Sequence, residues 1–209
     1  MTLHDISVLT SVGTPEWPGD TPFTCGWSAR IADGSSVNLT TITASPHVGT
    51  HADAPLHVRD GAAAAETLPL AAFLGPALVL DVQGEPRDLD EDLVARVPAG
   101  VERLLLRTGA SIAGGSFPAD WPALSSDAAR ALTRRGVRLL GVDAPSVDRR
   151  ESKTLEVHHA LFDGGACVLE NLDLRGVAEG DYELLALPLR WAGVDAAPVR
   201  AVLLPGVRE

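Results

Sequence analysis

Cysteine is scarce in this 209-residue chain: Cys25 and Cys167 stand far apart, in no metal-binding or redox spacing. Both are expected as ordinary buried or half-buried thiols suited to a reducing cytoplasm, although the sequence also allows one disulfide between them. Basic residues are few as well. Against 28 Asp and Glu stand 17 Lys and Arg, a formal net charge of −11, which argues against nucleic acid as a partner because phosphate contacts need clustered cations. The pairs Arg134-Arg135 and Arg149-Arg150 read as solvated surface. The opening Met1-Thr-Leu-His-Asp has neither the basic start nor the apolar run of a secretory signal. The longest apolar stretch, residues 62–82, is broken by Glu66, Pro69 and Pro76, so no membrane span is expected. Internal repeats, low-complexity tails and long linkers are missing too. The expectation is therefore one cytoplasmic domain over residues 1–209.

What is present builds a core. Hydrophobic residues make up 45% of the chain, enough to fold without covalent staples. Short apolar runs bounded by turn signals predict buried strands at 77–82, 103–108, 137–142, 166–170, 182–187 and 199–204. Two helices are predicted. Residues 88–97 carry an acidic first turn, and residues 125–135 begin at serines and end before Gly136. Strands alternating with helices point to an α/β fold with a mixed sheet.

Histidine is also sparse, yet three of the six fall in His47-Val-Gly-Thr-His51-Ala-Asp53-Ala-Pro-Leu-His57. A helix would separate Asp53 from His47 and His51, and Gly49 and Pro55 disfavour one. In an extended chain, residues 47, 51, 53 and 57 share one parity and face one side. Such a wall of imidazoles and a carboxylate, without thiolate, suits Zn²⁺ and equally Mn²⁺, Fe²⁺ or Co²⁺. The other reading is a polar strand edge with fortuitous histidines. His4 reads as an ordinary lone histidine. A second cluster, Ser152-Lys-Thr-Leu-Glu-Val-His158-His159, precedes Glu170-Asn-Leu. Glu170 ends an apolar run, where a bare carboxylate is costly and needs either an arginine or a metal as counter-charge.

These residues resemble the signature of the metal-dependent cyclase-like hydrolases, and among them the bacterial kynurenine formamidases. The resemblance runs nearly the whole chain: Trp17-Pro-Gly-Asp-Thr-Pro22, the histidine segment, Leu104-Leu-Leu-Arg-Thr108, Gly141-Val-Asp-Ala-Pro-Ser-Val-Asp148, Ser152-Lys-Thr154, His158-His159 and Glu170-Asn-Leu172 follow in order. Asp181-Tyr-Glu-Leu-Leu-Ala-Leu-Pro188 and Asp195-Ala-Ala-Pro-Val-Arg-Ala-Val202 are similar to formamidase segments in particular. The resemblance implies a fold of swivelling β/β/α type, a homodimer and two zinc ions per subunit, with Mn²⁺ or another divalent ion as an alternative. It implies His47, His51, Asp53, His158 and Glu170 as metal ligands, with Asp53 and Glu170 reaching both ions. His57 is then the proton donor and acceptor, and Trp17 lines the substrate pocket. The implied reaction is hydrolysis of N-formyl-L-kynurenine to L-kynurenine and formate by a metal-activated water. No G-x-S-x-G elbow is present, which argues against the α/β-hydrolase type of formamidase. Two other readings stand beside it: a relative opening a cyclic amide or lactone such as isatin, and a non-catalytic metal-binding protein.

Overall fold

Leu104, Leu105 and Leu106 point alternately to opposite sides of one strand, yet all three are buried. Only a strand covered on both faces requires that, and such strands read as unbroken apolar runs. The fold is built around four of them. The computed structural model describes residues 3–206; Met1 and Thr2 of the opening stretch, and residues 207–209, lie outside the described residues.

In chain order the strands are β1 (His4–Asp5), β2 (Thr24–Ala29), β3 (Leu39–Thr43), β4 (His51–Asp53), β5 (Leu74–Asp81), β6 (Asp88–Leu89), β7 (Arg103–Arg107), β8 (Ala123–Leu124), β9 (Leu139–Val142), β10 (Cys167–Glu170), β11 (Gly180–Leu185), β12 (Ala196–Pro198) and β13 (Val202–Pro205). The helices are α1 (Glu91–Arg96), α2 (Ser126–Arg134) and α3 (Glu156–Asp163). Nine strands form one mixed sheet in the order β1-β13-β11-β5-β7-β9-β10-β4-β12. Its centre, β5-β7-β9-β10, is parallel, with α1, α2 and α3 as crossovers between successive strands. The flanking pairs are antiparallel. The expected α/β fold with a mixed sheet is what the chain adopts.

Side-chain alternation divides the core in two. Leu80, Leu104, Leu106, Leu140 and Val168 meet Leu93, Leu132 and Leu161 of the helices on one face. Val79, Leu105, Leu139 and Leu169 pack on the other face with Phe73, Leu184 and Leu203. The five strands predicted at 77–82, 103–108, 137–142, 166–170 and 182–187 correspond to β5, β7, β9, β10 and β11 with shifted ends. The sixth, 199–204, corresponds to β13, which starts three residues later. The helix predicted at 88–97 is the short strand β6 followed by α1. The helix at 125–135 is α2, where Ser125 Oγ accepts the Ala128 N–H at 3.2 Å, a cap that stabilises by about 1 kcal/mol.

Three features differ from expectation. Helix α3 carries His158 but falls in a segment read only as a polar cluster. The hairpin β2–β3 forms a separate two-stranded sheet with nearly every side chain exposed, including Trp27, Leu39 and Ile42. Cys25 lies on that hairpin and is exposed, not buried or half-buried. Cys167 is buried, and burial pushes its thiol up to about 12. His4 is unremarkable, as expected, and meets the Tyr182 ring edge-on at 5.9 Å.

Candidate metal centre and active-site pocket

The histidine segment is not one extended strand. Only His51 and Asp53 lie on β4, two residues apart and on the same face. His47 sits in the preceding turn, and His57 ends a short 3-10 turn, Pro55–His57. Gly49 makes the first bend. Its φ of +76° suits glycine, and any side chain there would run into Thr10. Pro55 ends the ladder on the other side because it has no N–H to pair. The parity expectation therefore holds for His51 and Asp53 and fails for His47 and His57, although all four still converge.

Register delivers the remaining groups. On the paired strand β10, Glu170 lies directly opposite His51. Helix α3 then presents His158 from the other side. His47 Nδ1, His51 Nε2 and Asp53 Oδ1 form a triangle with every side 3.2 Å. Asp53 Oδ2 faces His158 Nε2 at 3.0 Å, and His158 Nε2 is 3.3 Å from Glu170 Oε1. Glu170 Oε2 lies 3.6 Å from His51 Nε2. Each carboxylate thus turns one oxygen to one histidine set and its other oxygen to the second.

The far side of each imidazole is also held. His51 Nδ1–H donates to Gly49 O at 2.9 Å, leaving Nε2 free to face the cluster. His158 Nδ1–H donates to Asp148 Oδ2 at 2.7 Å. His47 Nε2–H donates to Asp195 Oδ2 at 2.8 Å, and the same oxygen lies 3.3 Å from His57 Nδ1. Such outer partners fix which ring nitrogen is available to a ligand. Asp148 does more, because its carboxylate also accepts the Val157 and His158 backbone N–H groups at 3.0 Å each, capping α3.

Electrostatics follow from this crowding. Burial alone would lower the His51 imidazolium, but the Asp53 and Glu170 carboxylates outweigh it and raise it to about 10. His47 is similarly opposed by burial, yet Asp195 and Asp53 raise it to about 9. His158 is raised well above the usual range by Asp148, Asp53 and Glu170, again against burial. Burial pushes Asp53 up, but His51, His158 and His47 hold it well below the ordinary carboxylate value. The hydrogen bond from His47 holds Asp195 low.

These residues fit a divalent metal. Asp53 is fully buried, and its Oδ1 has no hydrogen-bond partner. No Lys or Arg pairs with Asp53 or Glu170 among the described residues; their only ionic neighbours are histidines. A 3.2 Å triangle of donor atoms matches the ligand spacing of a tetrahedral site with bonds of about 2.0 Å. His57 also lies within reach of two such groupings, one with His47 and Asp195 and one with Asp53 and His158.

The cluster forms one wall of a cavity of about 750 Å³. Trp17 and Phe117 contribute an aromatic wall, their rings edge-on at 5.5 Å, with Trp121 edge-on to Trp17 at 6.1 Å. All seven residues singled out from the sequence therefore border the cluster or its cavity. His159, half-buried on α3, does not line it. Sequence reasoning missed Asp148, Asp195 and Phe117. The two aspartates stood within recognised segments but with no signal of which side chain each would support. No helix among the described residues is long and apolar enough to cross a membrane.

Known proteins resemble this chain over most of its length. The model of the Cyclase family, described as "Putative cyclase", matches residues 4–149. The kynurenine formamidase of Bordetella avium is 45% identical over 202 residues, covering 96% of this chain and 97% of its own. That of Bordetella pertussis is 46% identical over 203 residues, with the same coverage. Among solved structures, the "predicted metal-dependent hydrolase from Bacillus stearothermophilus" superposes with a TM-score of 0.82 at 30% identity, covering 97% of both chains. Isatin hydrolase A from Ralstonia solanacearum superposes with a TM-score of 0.79 over 98% of this chain and 92% of its own, but at 24% identity it speaks for the fold alone.

Proposed function

The chain belongs to the Cyclase family, and from that premise we propose that it hydrolyses N-formyl-L-kynurenine to L-kynurenine and formate with the help of bound divalent metal. The observation that carries this reading is the buried triangle of His47, His51 and Asp53 donors, in a chain alike to two kynurenine formamidases along nearly its whole length. We assign His47, His51 and Asp53 as the residues that would hold one ion, and His158 and Glu170 a second, Asp53 and Glu170 each having one oxygen beside either histidine set. Zinc suits this thiolate-free set of imidazoles and carboxylates, as does manganese. Such a metal supplies a water of lowered pKa and a Lewis acid for the amide carbonyl.

The protein's own groups do the rest. Trp17 and Phe117 take the aryl ring, which leaves the formamide facing the histidine–carboxylate wall. Departure of the aryl nitrogen needs a proton, and His57 is assigned to deliver it. Its side chain is 30% exposed to the pocket, and its Nδ1 lies 3.3 Å from Asp195 Oδ2, which leaves Nε2 as the nitrogen assigned to take up and deliver the proton. Asp195 also holds His47, and thereby ties the proton carrier and a ligand to one carboxylate oxygen.

A second copy of the chain is proposed to cover the β2–β3 hairpin. Two strands without a second layer are marginal alone, and Trp27, Leu39 and Ile42 present an apolar surface of the kind that marks an interface. A cytoplasmic home is in keeping with two free thiols. The decisive experiment compares turnover of N-formyl-L-kynurenine, N-formylaniline and isatin, with and without chelator. N-formyl-L-kynurenine should be hydrolysed fastest, and chelation should abolish turnover until metal is restored. Full activity in metal-stripped protein would overturn the reading.

A further inference from the structure

We infer that Lys153 anchors the α-carboxylate of the substrate, so that the pocket selects a formylated aryl amine bearing an amino-acid tail; this rests on the hydrolytic reading above. Lys153 is the only lysine in the chain, and it lines the cavity beside the histidine cluster. The arginines close in sequence to Lys153 or to His57 are already engaged. Arg149 pairs with Asp88, Arg59 pairs with Asp163 at 2.8 Å, and Arg150 lies over the Phe117 ring at 5.5 Å while donating to Ala119 O. Among the described residues Lys153 has no ion-pair partner.

The turn that carries it is fixed. Ser152 N–H donates to Arg149 O, and Leu155 N–H donates to Ser152 Oγ, both at 3.0 Å. Leu155 itself holds a φ of +48°, a left-handed conformation that a branched side chain adopts only when its surroundings impose it. A strained, pinned turn thus presents one cation to the pocket.

Charge balance gives that cation a task. Apart from histidines, the ionisable groups lining the cavity are Asp20, Glu170, Asp195 and Lys153, and the whole chain is strongly acidic. Among the described residues Lys153 is the one lysine or arginine lining the cavity, and so the one side chain away from the histidine wall able to receive a carboxylate as an ion pair. With the formamide at the histidine wall and the ring against Trp17 and Phe117, the far end of an ortho amino-acid tail is the one part of the ligand that is anionic. N-formylaniline and isatin carry no carboxylate and gain nothing from Lys153.

The test uses the metal-loaded enzyme and Lys153→Met. For N-formyl-L-kynurenine, kcat/KM should fall about tenfold through KM, the effect of losing a charge-assisted hydrogen bond. For N-formylaniline it should stay unchanged, and Lys153→Arg should recover most of the loss. Binding of L-kynurenine, followed by tryptophan fluorescence, should weaken by the same factor and reads the contact without turnover. Equal loss on both substrates, or unchanged kynurenine binding, would overturn the assignment. A wild-type enzyme inactive on N-formyl-L-kynurenine would sink the hydrolytic reading instead, and kynurenine binding would still decide the role of Lys153.

Discussion

Asp148→Asn separates a structural cap from a metal-tuning group. Asp148 is buried, and its two oxygens accept three N–H groups: Val157 N–H, His158 N–H and His158 Nδ1–H. An asparagine of the same shape replaces one oxygen by an NH2, which places donor against donor. At least one buried N–H is then stranded, a penalty of about 1–3 kcal/mol. For a domain of this size each kcal/mol lowers Tm by about 2–4 °C. The ring of His158 also loses the partner that keeps Nε2 facing Asp53 and Glu170. Loss of such an outer partner weakens metal affinity by about 10–100-fold. Chelator-competition titration reads the affinity and calorimetry reads the stability. Ser125→Ala is the control, because it removes the α2 cap for about 1 kcal/mol at a residue that lines neither the cluster nor its cavity and should leave affinity alone. An Asp148→Asn protein with lowered Tm but wild-type metal affinity would refute the reasoning and leave Asp148 a helix cap only.

His57→Ala should keep its metals and fold but lose about 10²–10⁴ in kcat, less for substrates with better leaving groups; elemental analysis showing metal loss would make His57 a ligand. Trp17→Ala should raise KM for aryl formamides, with at most about 1.5 kcal/mol of stability lost for each edge-on aromatic contact; a large fall in Tm with unchanged KM would return Trp17 to a packing role. The pH dependence of metal binding follows from the carboxylates that raise His47 to about 9 and His51 to about 10 in the metal-free protein. Ions must displace those protons, so apparent affinity should climb about tenfold or more per pH unit from neutrality until pH passes 9–10. The same shifts stabilise the metal-free fold fully below the unfolded imidazole value of about 6.5, and that stabilisation disappears as pH rises through 9–10. A pH-independent affinity in isothermal titration would contradict the proposed ligand set.

Legibility in the sequence depended on burial. Strands β5, β7, β9 and β10 announced themselves because both faces are covered along their middles, so each carries an unbroken run of apolar residues even where Asp81, Arg103, Arg107 or Glu170 stands at an end. The β2–β3 hairpin has neither face covered, hence no alternation to read. Strand β4 is three residues long and embedded in turns, and its identity comes from pairing with β10 and β12 rather than from its own pattern. Helix α3 was hidden because its capping group, Asp148, is supplied from outside the turn that starts the helix. The proposed ligands stood out because imidazoles and carboxylates at short spacing are chemically unusual. Their supports could not: Asp195 lies 148 positions from His47, and only the fold brings the two together.

The glutamate–histidine register across β10 and β4 has an evolutionary corollary. His51, Asp53 and Glu170 sit on backbone that is hydrogen-bonded to neighbouring strands, so an insertion there would turn the proposed ligands to the wrong face. Trp17, Phe117 and Lys153 sit on segments outside every strand and helix, where no ladder fixes the register and changes of length are tolerated more readily. Inheritance of the chemistry is thereby uncoupled from inheritance of the substrate. A lineage can exchange the loops, and with them the amide it recognises, while the hydrolytic centre passes on unchanged.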